Sequence, residues 1–389
     1  MQFMSRIYFD YNATTPLSSE VLEFYTAELA KYANASSLHE DGRAAWKDIQ
    51  KAREQVASLV NVNADEIFFT SGGSESNNTV LNTMLEEGKK RGRYVIVTSK
   101  IEHPCVLEAS KRLASFGMEV IYLGVDGDGV ILMDEYKAAL AKKPVLVSIM
   151  TANNEIGTIQ DIKTLCAMAH EAGALFHTDA VQAAGKIPVD LRDWNVDYAT
   201  FSGHKIYGPK GVGGLFVKEG NPIEPLIRGG HQEKGVRAGT YNAPAIAAYG
   251  YAAELAEKDI EFYGSHTRAL RNRLRDGLLA KIPNIKVNGH PENVLPNTLD
   301  VSFPGAEGEA ILLHLDLLGV DVSTGSACAS GSLEPSHVLM ATGLGPELAH
   351  GSIRFSFGKY NTEEEVDYVL EKFPPVIDTL RKMSTVYNG

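Results

Sequence analysis

Lys205 and Asp179 are the residues whose types and spacing point most directly to chemistry. Lys205 follows the apolar run YATFSG (198–203) and precedes a Gly-Pro-Lys-Gly turn. A lysine at a strand end becomes a nucleophilic amine when burial lowers its pKa. Asp179 lies near the end of the preceding run ALFHTDA (174–180), so its carboxylate is predicted to face the same crevice. A lysine that forms a Schiff base and an acid that holds a pyridinium proton are the pair that pyridoxal phosphate requires.

Each of these residues also has a structural interpretation. Lys205 alone could be a solvated surface lysine, and Asp179 could cap a helix. Gln182, three residues after Asp179, could donate to a ring hydroxyl or lie exposed. His177 and Asp179 also suggest a metal site, but no third ligand follows at a suitable spacing, so we predict no metal.

Other polar residues follow the remaining strand-like runs. His103 precedes Pro104, which favours an extended conformation, and its imidazole could stack on a planar cofactor or move a proton. The segment TSGGSESNN (70–78) begins a helix-period stretch, and free N–H groups at a helix N-terminus bind anions. A structural histidine and a plain capped turn are the alternatives. The polar residues predicted at these strand ends are Ser71, Ser74, His103, Asn154, Asp179, Gln182, Ser202, His204 and Lys205.

Arg354 lies in the alternating segment GSIRFSFG (351–358). Ile353, Phe355 and Phe357 point to one face of the predicted strand, and Arg354 points to the other. An arginine that projects from a strand suits bidentate capture of a carboxylate. A structural ion pair is the alternative.

Cys328 lies in STGSACASGS (323–332), where no residue is larger than threonine. A structural cysteine usually packs as a small hydrophobe, and this segment offers almost nothing to pack against. We therefore expect a mobile loop that presents a reactive thiol, whose active form is the thiolate. Cys105 and Cys166 lie in helix-period segments and are assigned to packing.

Strand-like runs alternate with helix-period segments between about residues 45 and 220, which favours an α/β fold with a mostly parallel sheet covered by helices. The following segments predict a long helix from about residue 243 and then a smaller α+β domain. We predict a large domain at 15–260 and a small domain formed by 1–14 and 261–389. The seven sheet runs are 66–71, 94–99, 119–124, 145–151, 174–180, 198–203 and 213–218.

The composition excludes several classes of protein. The chain has 37 Lys and Arg against 49 Asp and Glu, a net charge of −12, whereas general nucleic-acid and anionic-membrane binding need clustered positive charge. No apolar run approaches the roughly 20 residues that span a bilayer, and the first residues do not resemble a signal peptide. Three cysteines do not make a disulfide framework, so we expect a cytoplasmic protein.

Taken together, these motifs resemble those of cysteine desulfurases of the NifS/IscS type, which are fold-type-I pyridoxal phosphate enzymes. The resemblance runs nearly end to end, and FSGHKIYGPKG with GSACASGSLEPSHVL is its most specific part. The sequence departs from the family pattern at Tyr11, at Ala35 and at Gly73-Ser74, and none of these changes removes a catalytic group. The motifs that carry the resemblance are IYFDYNATTP, NASSLHEDGR, TSGGSESNN, EHPCVLE, TANNEIGTIQ, HTDAVQAAGK, FSGHKIYGPKGVGGL, RAGTYN, STGSACASGSLEPSHVL and SIRFSFG.

The resemblance implies a role for each candidate residue. Lys205 would carry the Schiff base, Asp179 would keep the pyridine nitrogen protonated, His103 would stack on the ring and shuttle protons, and Gln182 would contact the ring hydroxyl. Arg354 and Asn154 would hold the carboxylate of L-cysteine. The residues implied to bind the phosphate are Gly73, Ser74, Ser202, His204 and, from the second subunit of a homodimer, Thr240.

The implied reaction removes sulfur from L-cysteine, gives L-alanine and leaves a persulfide on Cys328. The implied partner is an iron–sulfur scaffold or another sulfur-acceptor protein. A selenocysteine lyase or an aminotransferase would share Lys205 and Asp179, although a transaminase has no use for a cysteine in a small-residue loop. A non-catalytic sulfur-transfer scaffold would be expected to lose the lysine or the aspartate, and both are present.

Overall fold

The computed structural model describes residues 6–324 and 335–384. The strands of these residues are β1 (Ile7–Tyr8), β2 (Ile67–Thr70), β3 (Val95–Ser99), β4 (Glu119–Leu123), β5 (Leu146–Ser148), β6 (Leu175–Asp179), β7 (Tyr198–Ser202), β8 (Gly213–Val217), β9 (Lys286–Asn288), β10 (Thr298–Ser302), β11 (Val320–Asp321) and β12 (Ser352–Ser356). The helices are α1 (Ser19–Leu29), α2 (Glu40–Leu59), α3 (Gly73–Arg91), α4 (Pro104–Ser115), α5 (Met133–Ala141), α6 (Ile162–Glu171), α7 (Leu191–Trp194), α8 (Ala243–Lys281), α9 (Gly308–Leu317), α10 (His337–Ala341), α11 (Pro346–His350) and α12 (Glu363–Met383).

The main sheet has seven strands within the described residues, in the order β2-β8-β7-β6-β5-β3-β4. Strand β8 is antiparallel to both of its neighbours, and the other pairs are parallel. Each of the seven predicted runs contains one of these strands. The predicted α/β fold with a mostly parallel, helix-covered sheet is therefore confirmed.

Neighbouring residues along the strands pack into two different cores, which shows that helices cover both faces of the sheet. Phe69 and Phe216 pack with residues of α2, α6 and α8 on one face. Phe68 and Leu215 pack with residues of α3 and α4 on the other face. Because both faces are buried, these strands are almost continuously apolar, as the sequence indicated.

A second group of elements packs around the C-terminal half of α8. Strands β12, β10 and β9 form an antiparallel sheet, and β1 pairs with β11 in parallel. Their side chains share a core with α9, α12 and the part of α8 that contains Leu270, Leu274 and Leu278. The proposed domain boundary after residue 260 falls inside α8, and the division into 15–260 against 1–14 with 261–389 stays a prediction. Among the helices described, none has the length and apolar character needed to cross a bilayer.

Candidate active site

A cleft opens beyond the carboxyl ends of the parallel strands, where ligands of open α/β sheets bind. It contains about 940 Å³ of space, including the part open to solvent at its mouth. Its walls come from the ends of β6 and β7, the starts of α3 and α4, the turn after β1, and β12. The sequence-predicted residues that line it are Gly73, Ser74, His103, Asn154, Asp179, Gln182, Ser202, His204, Lys205 and Arg354.

Lys205 lies in the short helical turn Gly203–Lys205 that directly follows β7. Its Nζ donates hydrogen bonds to the backbone oxygens of Asn12, at 2.5 Å, and Ala13, at 2.7 Å. These carbonyls come from the first turn of the chain, more than 190 residues away. These two uncharged carbonyl groups hold the amine inside the cleft, which suits a lysine that reacts as a nucleophile.

Asp179 is the last residue of β6, and only 6% of its surface is exposed. Its Oδ2 accepts a hydrogen bond from Asn77 Nδ2 at 2.6 Å, and its Oδ1 accepts one from the backbone N–H of Val181 at 3.0 Å. Asn77 projects from the first turns of α3 and is fully buried. Two fixed donors thus orient the carboxylate at the floor of the cleft.

His103 is the residue that caps the N-terminus of α4. Its Nδ1 accepts a hydrogen bond from the backbone N–H of Cys105 at 3.2 Å and lies 3.1 Å from the Sγ of the same residue. Because Nδ1 is the acceptor, the neutral ring carries its proton on Nε2. Burial lowers the pKa of His103, so the ring is neutral near pH 7.

The first turn of α3 meets the end of β7 closely. A Cβ at Gly73 would lie 2.9 Å from Cγ2 of Val181, so a larger residue there would require the Val181 side chain to move. Ser74 is exposed, Ser202 is buried, and His204 Nδ1 contacts Thr14 Oγ1 at 3.1 Å. Burial, with Lys205 nearby, lowers the pKa of His204 to about 4. A neutral imidazole, two hydroxyl groups and the N-terminus of a long helix make an anion cradle.

Arg354 on β12 is 3% exposed and forms an ion pair, which was predicted from the sequence as the alternative to capture of a carboxylate. Its Nη2 donates to Asp10 Oδ1 at 2.7 Å, and its Nη1 donates to the backbone oxygen of Asn154 at 3.0 Å. Its buried Nε has no hydrogen-bond partner among the described residues. The guanidinium is thus fixed on two sides by Asp10 and Asn154, while the residue lines the cleft.

Of the predicted residues that the structure describes, Ser71 and Thr240 do not line this cleft. Thr240 lies in a neighbouring cavity together with Ser71 and Arg237. Cys328 lies outside the described residues. The predictions that Thr240 completes a second subunit's site and that Cys328 is the nucleophile therefore stay predictions.

Several residues of the site were not identified from the sequence. Asn12 and Asn77 line the cleft, Asp10 pairs with Arg354, and Lys186 lies directly behind Gln182. Asn77 and Lys186 stand inside the motifs TSGGSESNN and HTDAVQAAGK, which were available as a signal. Cys105 was assigned to packing; it packs beside the α3–α4 core and also lines the cleft, and burial raises the pKa of its thiol to about 12.

His177, which suggested a metal ligand beside Asp179, is a fully buried residue of the sheet. Its Nδ1 contacts Ser148 Oγ at 2.8 Å, and its Nε2 contacts Thr200 Oγ1 at 3.1 Å. Burial lowers its pKa to about 3, so it stays neutral and links three neighbouring strands. Within residues 6–324 and 335–384, no group of three or more His, Cys, Asp or Glu side chains is arranged to hold a metal ion.

Comparison with known proteins identifies the family of this chain. A model described as aminotransferase class-V matches residues 7–369. The chain belongs to that family. It is 49% identical to a cysteine desulfurase of Gluconacetobacter diazotrophicus, with 99% of this chain and 97% of the relative covered. It is 47% identical to the cysteine desulfurase IscS of Dictyoglomus turgidum, with 97% and 96% covered.

A solved structure described as a NifS-like protein has a TM-score of 0.90 and 42% identity, and the match covers 96% of this chain and 100% of that one. The resemblance to the NifS/IscS type and the assignment to an enzyme family are therefore confirmed. Members of this family depend on pyridoxal phosphate.

The residues of the cleft fit pyridoxal phosphate. A buried carboxylate, a lysine amine held by carbonyls, and a helix N-terminus that begins at Gly73 are the three features that its ring nitrogen, aldehyde and phosphate need. Arg354 adds a cation to the lining of the same cleft.

Proposed function

We propose that this protein is a pyridoxal phosphate-dependent cysteine desulfurase that converts L-cysteine to L-alanine and leaves the sulfur as a persulfide on Cys328. The observation that carries the proposal is that Lys205, Asp179 and Arg354 line one cleft. These side chains supply an amine, an acid for a pyridinium and a cation for an α-carboxylate. The names of the related proteins support the same activity.

The cofactor, when bound, supplies an electron sink for loss of the substrate's α-proton. Lys205 would hold it through a Schiff base, and the fixed carboxylate of Asp179 would keep the pyridine nitrogen protonated. His103, neutral with its proton on Nε2, would stack on the ring and move protons. The amide nitrogen of Gln182 would donate to the ring hydroxyl.

The phosphate would lie at the first turn of α3, with Gly73, Ser74, Ser202 and His204. Thr240 of the partner subunit would complete this cradle, so the protein is proposed to be a homodimer. Within one subunit Thr240 lies in a cavity next to Ser71, beside the same turn. This placement supports an approach from outside the cleft.

The substrate carboxylate would bind the guanidinium of Arg354, with Asn154 beside it, because both residues line the cleft. The thiolate of Cys328 would then attack the substrate sulfur, so that an S–S bond forms as the C–S bond breaks, and the carbon fragment takes up a proton to become alanine. The role of Cys328 rests on the sequence motif. The persulfide would pass its outer sulfur to an iron–sulfur scaffold or another acceptor protein.

The test uses purified protein loaded with pyridoxal phosphate and supplied with L-cysteine and a thiol reductant. We expect alanine and sulfide in equal amounts. Transfer of the amino group to a keto acid without sulfide would contradict the proposal and indicate an aminotransferase.

The Cys328→Ala variant should keep the absorbance of the lysine-bound cofactor and lose sulfide release. The matched control is Cys166→Ala, because Cys166 is buried in α6 away from the cleft and its loss should leave turnover nearly unchanged. Sulfide release at the native rate by Cys328→Ala would exclude Cys328 as the nucleophile.

A further inference from the structure

Behind the cleft lies a second lysine, Lys186, that is only 1% exposed and does not line the cleft. A lysine is almost never fully buried without a partner. The Nζ of Lys186 donates hydrogen bonds to Gln182 Oε1 at 2.6 Å and to Asn12 Oδ1 at 2.9 Å. Both partners are amide oxygens. Their hydrogen bonds offset part of the cost of burying the amine, and they also orient two neutral side chains.

Gln182 and Asn12 both line the cleft, and Asn12 also contacts Lys205 through its backbone oxygen. Because Lys186 binds the oxygen of Gln182, the amide nitrogen of Gln182 must face the other way, where one hydrogen is donated to Asn12 O at 3.0 Å. The second hydrogen is available to the cleft that Gln182 lines. Lys186, which binds the oxygen end, and the backbone oxygen of Asn12, which binds the nitrogen end, together fix the orientation of the Gln182 amide.

Asn12 is fixed by the same amine and by several further bonds. Its Nδ2 donates to Thr298 Oγ1 at 2.9 Å, and its Oδ1 also accepts from Asn297 Nδ2 at 3.0 Å. Its backbone oxygen is the acceptor for Lys205 Nζ. Lys186 is therefore connected to Lys205 through one residue.

We propose that Lys186 is a positioning residue, which directs the amide donor of Gln182 into the cleft and holds the carbonyl that orients Lys205. This inference rests on the proposed function, in which Gln182 donates to the ring hydroxyl of the cofactor. Burial, with Lys205 and Arg354 nearby, lowers the pKa of Lys186 well below its usual range. The amine donates hydrogen bonds in either protonation state.

The test compares Lys186→Met with the wild-type holoenzyme by titrating the absorbance of the lysine-bound cofactor against pH. In the variant the amide of Gln182 loses the bond that holds its oxygen, so its donor is less firmly oriented, and any positive charge on Lys186 is removed. Both changes favour the protonated form of the lysine-bound cofactor, so its pKa should rise by about one unit. The matched control is Lys137→Met, which removes an exposed lysine of α5 outside the cleft and should leave this pKa unchanged.

A double-variant cycle shows whether Lys186 acts through Gln182. If it does, adding Lys186→Met to Gln182→Leu should produce little further shift. An unchanged cofactor pKa in Lys186→Met, or fully additive shifts, would overturn the inference. If Lys186→Met does not fold, Lys186→Gln, which keeps one donor group, should show a smaller upward shift, and no shift there would overturn the inference as well.

Failure of the proposed function gives a different result. A wild-type protein that forms no lysine-bound cofactor would contradict the function itself. A wild-type protein that forms it, with variants that titrate identically, would contradict only the role of Lys186.

Discussion

The two walls of the cleft are built in different ways. The strand-end wall consists of His103, Asp179 and Lys205, each of which lies at or just beyond the end of a strand of the main sheet. The N-terminal wall consists of Asp10, Asn12 and Arg354, where residues 344 positions apart in the chain form an ion pair. The strand-end wall presents side chains suited to a cofactor, and the N-terminal wall presents carbonyl groups and a cation.

This difference indicates that the two walls have different functions. On the strand-end wall, backbone N–H groups and Asn77 fix a carboxylate and an imidazole in one orientation. On the N-terminal wall, the first turn of the chain holds Lys205 through its carbonyls while Asp10 partly neutralises Arg354. The chemistry is therefore expected to depend on the strand-end wall, and substrate binding on the N-terminal wall.

The largest effect is expected on the strand-end wall, from Asp179→Asn. The variant keeps the shape of the side chain and loses the charge that would hold a pyridinium proton, so turnover should fall by about 10²-fold or more. The measurement is kcat for alanine formation, with the exposed Asp193→Asn as a control. A variant with nearly native kcat would remove the basis for assigning chemistry to this wall.

On the N-terminal wall, Arg354→Gln should act mainly on substrate binding. Loss of a charge-assisted hydrogen bond to the α-carboxylate should lower kcat/KM by about 10- to 100-fold, chiefly through KM. Asp10→Asn keeps an acceptor for Arg354 and should have a smaller effect. Steady-state kinetics with L-cysteine test this, and an equal fall in kcat with unchanged KM would contradict the division between the walls.

The smallest effect concerns stability near the N-terminal wall. Asp300 on β10 pairs in register with Arg354, and burial raises its pKa from 3.8 to about 7. The folded protein therefore binds this proton more tightly than the unfolded chain, and the stabilisation is lost as pH rises from about 4 to 7. Asp300→Asn removes this pH-dependent stabilisation and keeps an oxygen that can accept a hydrogen bond from Asn288.

As the pH rises from 5 to 8, the wild type should lose up to about 3 kcal/mol of its free energy of unfolding through Asp300, and Asp300→Asn should not show this loss. Urea denaturation at the two pH values measures it, with the exposed Asp276→Asn as the control. Glu155, whose pKa burial raises to about 7, titrates with the same sign, so some dependence should remain in the variant. A difference that is the same at both pH values would contradict the assignment to Asp300.

The sequence predicted the strand-end wall better than the N-terminal wall for a physical reason. Lys205 and Asp179 follow apolar runs, and the carboxyl ends of parallel strands meet at one edge, so local patterns were enough to bring them together. Asn12 holds Lys205 through its backbone carbonyl, which every residue has, so the residue type does not signal this contact. Asp10 and Lys186 depend on partners brought close only by the tertiary fold.

The central claim is that Lys205, and not the neighbouring buried Lys186, forms the bond to the cofactor. The holoenzyme is reduced with borohydride, which converts a Schiff base into a stable secondary amine, and its peptides are then analysed by mass spectrometry. The account predicts the pyridoxyl group on Lys205. A pyridoxyl group on Lys186, or on no lysine of a fully loaded protein, would contradict it.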